Sequence, residues 1–353
     1  MKSIRSLVLA ASSILLLASC GGTSSTPAGD SKDSASAAPG ASSVAPEASS
    51  ATPEAAKLTA VYGATSYRFM SAYPGYTFKQ VTFLAEKIEL YSDNTYVFTM
   101  DAKNLSGALT FDPEDSGDQN AVCNDRGQTV TAYYGTYSAT EEEGIITVTC
   151  AAPNKGYTLA TGNVTSGAGT LSGASKVKGF ELSVDAETRA FDYLAPEADG
   201  EDKLGVPTDL VAYGSGSYRF MSAYPGYTFK QVTGITETVV LGKDKTYTLT
   251  VMSKNLSGAL TFDPEDSGDQ NAVCNDRGAS YLVYYGSYTE ETEEGIKTLN
   301  LAAPSKGYSL TVGNATQGTG YFEIPSEGHE LPTEGTELSV DVETLSFDFV
   351  AIQ

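Results

Sequence analysis

The chain has 353 residues and a formal net charge of −22, with 44 Asp and Glu against 22 Lys and Arg. So acidic a surface is repelled by phosphates and anionic lipids, which excludes nucleic acid as a partner. A single His, His329, excludes multi-His zinc sites, and 22 Tyr and 13 Phe in a Gly-rich chain without Trp point to strands and turns.

Lys2 and Arg5 open the chain, an apolar run from Leu7 to Leu17 follows, and small residues close it. This is the three-part layout of a secretory signal peptide over residues 1–19. The run is shorter than the roughly 20 apolar residues a transmembrane helix needs. Its end, Leu17-Ala18-Ser19-Cys20, resembles the lipobox of bacterial lipoproteins. The resemblance implies that Cys20 takes a diacylglycerol on sulfur and becomes the first residue after cleavage. The mature protein is then extracytoplasmic and held by its lipid at the cell membrane or outer membrane. Gly21 follows Cys20, and the absence of Asp there resembles lipoproteins sorted to an outer membrane.

After the lipidated Cys20, the segment to residue 57 is almost entirely Ser, Ala, Pro, Gly and Thr, with Val44 its one large apolar side chain. Such a segment cannot bury enough surface to offset chain entropy, so a disordered tether is expected. A flexible chain of this length spans roughly 35 Å, from about 5–6 Å per square root of residue number.

Beyond the tether the chain repeats itself. Residues 66–82 read SYRFMSAYPGYTFKQVT, and residues 217–233 read the same. Residues 103–127 and 254–278 share KNLSGALTFDPEDSGDQNAVCNDRG. The offset is 151 in both blocks and becomes 156 by the ELSVD of residues 181–185 and 337–341. The expected organisation is one domain over 58–199 and a second over 200–353, each of about 145 residues, joined by a Pro- and acid-rich segment at 196–207. Between the identical blocks, residues 83–102 match 234–253 at only six of 20 positions. Uniform drift does not leave that contrast. A task shared by the blocks, structural or binding, is preferred to recent gene conversion.

Period-two alternation marks the strands. Ile88 and Leu90 share one face and Lys87 and Glu89 the other; Tyr96, Phe98 and Met100 then align after a turn at Ser92-Asp93-Asn94. Further hairpin turns are predicted at 141–144 and 185–188, and Tyr73-Pro74-Gly75-Tyr76 fits a type II turn. The fold class is all-β: two tandem antiparallel domains, barrel or sandwich, with the barrel preferred. The succession of apolar strand, Asp93-Asn94-Thr95-Tyr96, apolar strand, Tyr133-Tyr134-Gly135-Thr136-Tyr137 and acidic turn resembles the lipocalin-like β-barrel domains of bacterial surface lipoproteins. That resemblance implies a small-ligand cavity and assigns no residue to it, and the Gly-x-Trp signature of true lipocalins has no counterpart.

Two candidate sites fall in the identical blocks. Calcium takes about six to eight oxygen ligands on a wrapping turn. Asp112, Glu114, Asp115, Asp118 and Asn120 offer such oxygens, as do Asp263, Glu265, Asp266, Asp269 and Asn271. Their spacing is not that of an EF-hand, and the competing reading is a solvated acidic loop partly neutralised by Lys103 and Arg126. A ligand-binding surface is expected near Tyr73, Tyr76, Asp115, Asp118 and Arg126, repeated as Tyr224, Tyr227, Asp266, Asp269 and Arg277. Tyr can stack on sugars, although in strands it more often packs a wall. The two blocks of each repeat are expected to lie side by side.

Cys123 and Cys274 hold matching places in the blocks, while Cys150 aligns with Leu301. A Cys replaceable by Leu reads as a small buried hydrophobe, with a Cys123–Cys150 disulfide as the alternative. No catalytic constellation emerges, and His329 belongs to an expansion of the second copy only. The expected function is a non-enzymatic, lipid-anchored, monomeric binding module for a surface glycan, cell-wall polymer or host protein. The alternatives are a spacer without ligand and a small-lipid carrier.

Overall fold

The computed structural model describes residues 56–71, 78–110, 122–162, 167–222, 229–261, 273–293, 296–313, 318–324 and 331–350. Nineteen strands lie among them. The first repeat holds β1 (Leu58–Ser71), β2 (Phe78–Tyr91), β3 (Thr95–Thr110), β4 (Val122–Glu142), β5 (Ile145–Cys150), β6 (Lys155–Ala160), β7 (Thr170–Gly173), β8 (Ser175–Val177) and β9 (Phe180–Asp185). Across the join runs β10 (Ala198–Lys203), which pairs with β8. The second repeat holds β11 (Leu210–Ser222), β12 (Phe229–Gly242), β13 (Thr246–Thr261), β14 (Val273–Glu293), β15 (Ile296–Leu301), β16 (Lys306–Val312), β17 (Tyr321–Glu323), β18 (Thr336–Asp341) and β19 (Ser346–Phe347). Among the described residues no helix is long and apolar enough to cross a membrane.

The protein is all-β, and each repeat curls its sheet around a core. In the second, the order β13-β12-β11-β19-β18-β15-β14 closes on itself because β13 also pairs with β14. The result is a seven-stranded barrel. In the first, β1-β2-β3-β4-β5-β9 forms a curled sheet, and Ala190 alone bridges its edges, pairing with Gly63 and Asp185. The long strands β4 and β14 change partners along their length. Thr129–Ala160 begins the pairing of β4 with β6, and Tyr137–Cys150 its pairing with β5. The two parts of one long strand thus pair with two different neighbours of the same sheet.

The turns follow from local chemistry. Asn94 takes φ 63° between β2 and β3, and the Asp93 carboxylate accepts hydrogen bonds from Thr95 N at 3.1 Å and Thr95 Oγ1 at 2.6 Å. Lys245 and Asp244 repeat that turn in the second copy. Glu143 and Gly144 make the acidic turn between β4 and β5, both at positive φ. Asp185 accepts from Glu187 N and Thr188 N, at 2.9 and 2.8 Å, and these donors hold its carboxyl below the usual range.

Inside the first repeat lie Tyr62, Ile88, Leu90, Tyr96, Phe98, Tyr133, Val148, Cys150, Leu182 and Val184. Their counterparts Tyr213, Val239, Leu241, Tyr247, Leu249, Tyr284, Leu299, Leu301, Leu338 and Val340 fill the second. The Tyr-Gly pairs of the repeat have a packing cause. A β-carbon at Gly135 would sit 2.7 Å from the Tyr96 ring, and one at Gly286 would sit 2.6 Å from the Tyr247 ring. The freed ring reaches a carbonyl: Tyr96 OH donates to Ala151 O and Tyr247 OH to Ala302 O, both at 2.9 Å. Cys150 is free and buried within the core, so the alternative of a Cys123–Cys150 disulfide is set aside; burial pushes its thiol up to about 12.

Candidate functional site

The two repeats do not hang as separate beads. Their outer faces pack on one another about a pseudo-twofold axis. One apolar cluster joins Leu58, Val61, Ala85, Tyr91 and Val97 of the first repeat to Met252, Ala279, Tyr281, Val283, Tyr308, Leu310 and Val312 of the second. A smaller one joins Ala132, Tyr157 and Leu159 to Leu210 and Ala212. Residue i meeting j while j's counterpart meets i's is the signature of an isologous contact. The backbone shows it directly: Gly162 N donates to Thr344 O, and Gly313 N donates to Thr188 O, at 2.6 and 3.1 Å. These are equivalent positions with the copies exchanged.

Strand β2 is consequently buried on both faces. Ile88 and Leu90 point into the first core as alternation requires. Lys87 and Glu89, on the opposite face, are only 3 % and 6 % exposed, because the second repeat covers them. Lys87 Nζ donates to Glu89 Oε1 and to Tyr308 OH, each at 2.5 Å. Tyr91 OH donates to Glu89 Oε2 at 3.0 Å, and Tyr308 OH also donates to Glu89. The ammonium lies 5.2 Å from the Tyr308 ring centre and 5.9 Å from that of Tyr281, within cation–π range. Each charge in this cluster therefore has a counter-charge or hydroxyl, as a buried ion needs. Asp101, 4 % exposed, lies on β3; burial raises its carboxyl to about 7, against a lowering pull from Lys87. Burial likewise holds the Tyr91, Tyr281 and Tyr308 hydroxyls well above the usual phenol range.

The pseudo-equivalent side is unlike it. Thr238, Val240 and Met252 stand where the first copy has Lys87, Glu89 and Asp101. The charged residues belong to one copy only. Alternation along β2 identifies their face but carries no sign of what covers it. A signal was nevertheless present, since charged residues in one copy align with neutral and apolar ones in the other within the divergent stretch.

A second pair of buried charges marks the base of the identical blocks. Lys103 and Lys254 are 1 % and 0 % exposed. Lys254 pairs with Asp276, whose other oxygen accepts from Thr65 Oγ1 of the first repeat at 2.9 Å. Lys103 packs against the backbone of Gly216, in the second repeat. The blocks of each copy are adjacent: Gln80 pairs with Ser106, Val81 with Leu105 and Thr82 with Asn104, and the second copy repeats this from Gln231 with Ser257. Of the anticipated ligand residues, Arg126 is described on β4, exposed, and Arg277 on β14, half-buried. Tyr73, Tyr76, Asp115, Asp118, Tyr224, Tyr227, Asp266 and Asp269 lie outside the described residues. So do the anticipated calcium ligands Asp112, Glu114, Asn120, Asp263, Glu265 and Asn271, together with Cys20 and His329. Among the described residues no group of three or more His, Cys, Asp or Glu is placed to hold a metal ion.

Glu86 and Glu237 form a device common to both copies. Both are buried. Glu86 accepts from Leu194 N and Ala195 N at 2.7 and 2.9 Å, and Glu237 accepts from Val350 N at 2.9 Å. Leu194 and Val350 are equivalent, so each carboxylate anchors the tail that follows its barrel's last turn. Burial raises the Glu86 carboxyl to about 7, against the lowering effect of these two donors. An open groove lined by Ile296, Val340, Val342 and Phe347 lies on the second repeat and shares no residue with the charged cluster. Comparisons with models of known families, with curated proteins and with solved structures gave no match.

Proposed function

We propose that this chain is a non-enzymatic binding module displayed outside the cell on a lipid at Cys20, and that the identical blocks carry its contacts to a surface glycan, cell-wall polymer or host protein. One observation carries the reading: residues 66–82 and 103–127 recur unchanged while the hairpin between them diverges. Strands β2 and β3 run through both the identical and the divergent stretches, so strand structure alone does not account for the contrast. Lys103 of the first copy's blocks packs on Gly216 and Asp276 of the second's accepts from Thr65, and this rooting of both sets at one join supports a bivalent reading. Two identical contacts held in one molecule raise avidity for a repetitive partner by about 10²–10⁴.

The test uses the mature chain without its lipid against immobilised peptidoglycan, surface polysaccharide and a glycan array. Binding is expected, and the pair Tyr76→Ala with Tyr227→Ala abolishes it at unchanged melting temperature. Binding that survives the pair, or a pair that instead loses stability, overturns the assignment of the blocks. Anchoring is tested separately: Cys20→Ser releases the protein from the membrane fraction or blocks its processing, and unchanged partitioning refutes lipidation.

A further inference from the structure

We infer that the two repeats are built as each other's specific partner: the face each offers fits the other repeat and rejects a second copy of itself. The contact at the pseudo-twofold axis carries most of this. Residues 83 and 234 hold the same place in their repeats and touch each other. In a symmetric pair two like residues would meet there. Here one is Phe and the other Gly. A β-carbon on residue 234 would lie 2.5 Å from the Phe83 ring, so the space holds one phenyl ring and no more. Two first repeats would bring two rings into that space. Two second repeats would leave it empty, and an unfilled site of that size forfeits the contacts of its lining.

The residues farther from the axis disfavour a pair of second repeats in particular. Lys87 and Glu89 of the first repeat are satisfied by the Tyr308 hydroxyl of the second. A pair of second repeats would turn Tyr308 toward Val240, which offers it neither cation nor carboxylate. Gln128 of the first repeat, whose counterpart is Ala279, reaches across to donate to Glu237 O at 3.0 Å. Discrimination by clash and by stranded polar groups is what specificity between near-identical surfaces requires. It keeps a duplicated chain from pairing like with like between molecules. No ligand enters this pairing, which is independent of the binding function proposed above.

The test cuts the join after folding. Gly200 is exposed, takes φ 80° and has open space around it, so a protease recognition sequence fits there. After cleavage of the folded full chain, the two pieces are expected to co-elute as a one-to-one complex with no homotypic dimer in native mass spectrometry. Separation into two monomers, or exchange into homotypic dimers, overturns the inference. In the same cleavable chain, Phe83→Gly alone and Gly234→Phe alone should each lose co-elution. The double exchange should restore it, because knob and hole have changed sides. Full co-elution of both single variants, or no recovery in the double variant, refutes the axis contact as the source of specificity. A single variant that does not fold is still read by whether the double variant recovers.

Discussion

The two sides of the join share a backbone and differ in charge. On one, Lys87, Glu89 and Asp101 meet Tyr281 and Tyr308; on the other, Thr238, Val240 and Met252 occupy the equivalent places and bring no charge. The interior of each barrel, by contrast, keeps its residues in step, Tyr96 with Tyr247 and Leu182 with Leu338. A core sees the same surroundings in both copies, so it tolerates only like-for-like change. A join sees the other copy, and at an axis position likeness itself is the clash. Divergence at residues 83–102 is thus what two copies need in order to fit each other.

The sharpest way to break this contrast is to remove one member of the charged side. Lys87→Met leaves the Glu89 carboxylate buried without its cation and should cost about 3–5 kcal/mol in denaturant unfolding of the full chain. A loss below about 1 kcal/mol would mean that Glu89 reaches water. Acidity probes the first repeat more gently. Asp101 and Glu86 both titrate at about 7 when folded, above their usual 3.8 and 4.5, so the folded chain keeps protons that the unfolded chain has released. Their contribution therefore favours folding at the acid end and fades as pH rises through about 7. The melting temperature should fall between about pH 5 and pH 8, and Asp101→Asn should flatten the fall. An unaltered slope in that variant would remove Asp101 from the account. Asp185 and Asp341, held low by backbone donors, act with the opposite sign below this window.

Converting one side into the other is the milder test. Lys87→Thr, Glu89→Val and Asp101→Met together give the first copy the second copy's residues. Replacing a buried ion pair by apolar groups is often close to neutral, so the triple variant should lie within about 2 kcal/mol of the parent, well above Lys87→Met alone. A triple variant as damaged as the single one would show that the charges themselves hold the repeats together. The smallest effect is expected in the core, where the copies exchange one apolar residue for another. Cys150→Leu adopts the residue of the second core and should cost less than about 1.5 kcal/mol.

Much of the fold is legible in the amino-acid sequence. Asp93-Asn94, Glu143-Gly144 and Asp185 carry side chains or conformations that favour turns, and the chain turns at each. Cys150 reads correctly as a small hydrophobe because its aligned Leu301 exposes the environment. Of the anticipated site, the adjacency of the two blocks within a repeat is described, while its Tyr and acidic members fall outside the described residues. The charged cluster is not legible in this way. Lys87 and Glu89 alternate with Ile88 and Leu90 as residues of a half-solvated strand do, and nothing within the strand distinguishes a face turned to water from one turned to another repeat.

The amino-acid sequence by itself determined the repeat, the all-β class, the hairpin turns and the alternating faces of β2 and β3. These depend on spacing along the chain and on side chains met within a few positions or at a fixed offset. Only the tertiary structure decided that β19 closes the second copy between β11 and β18 while Ala190 alone bridges the first, and that the copies share a join. Those outcomes rest on contacts between residues more than a hundred positions apart, such as Lys87 with Tyr308 and Phe83 with Gly234. Whether such surfaces meet depends on shape and on desolvation of both together, and neither surface carries that information alone.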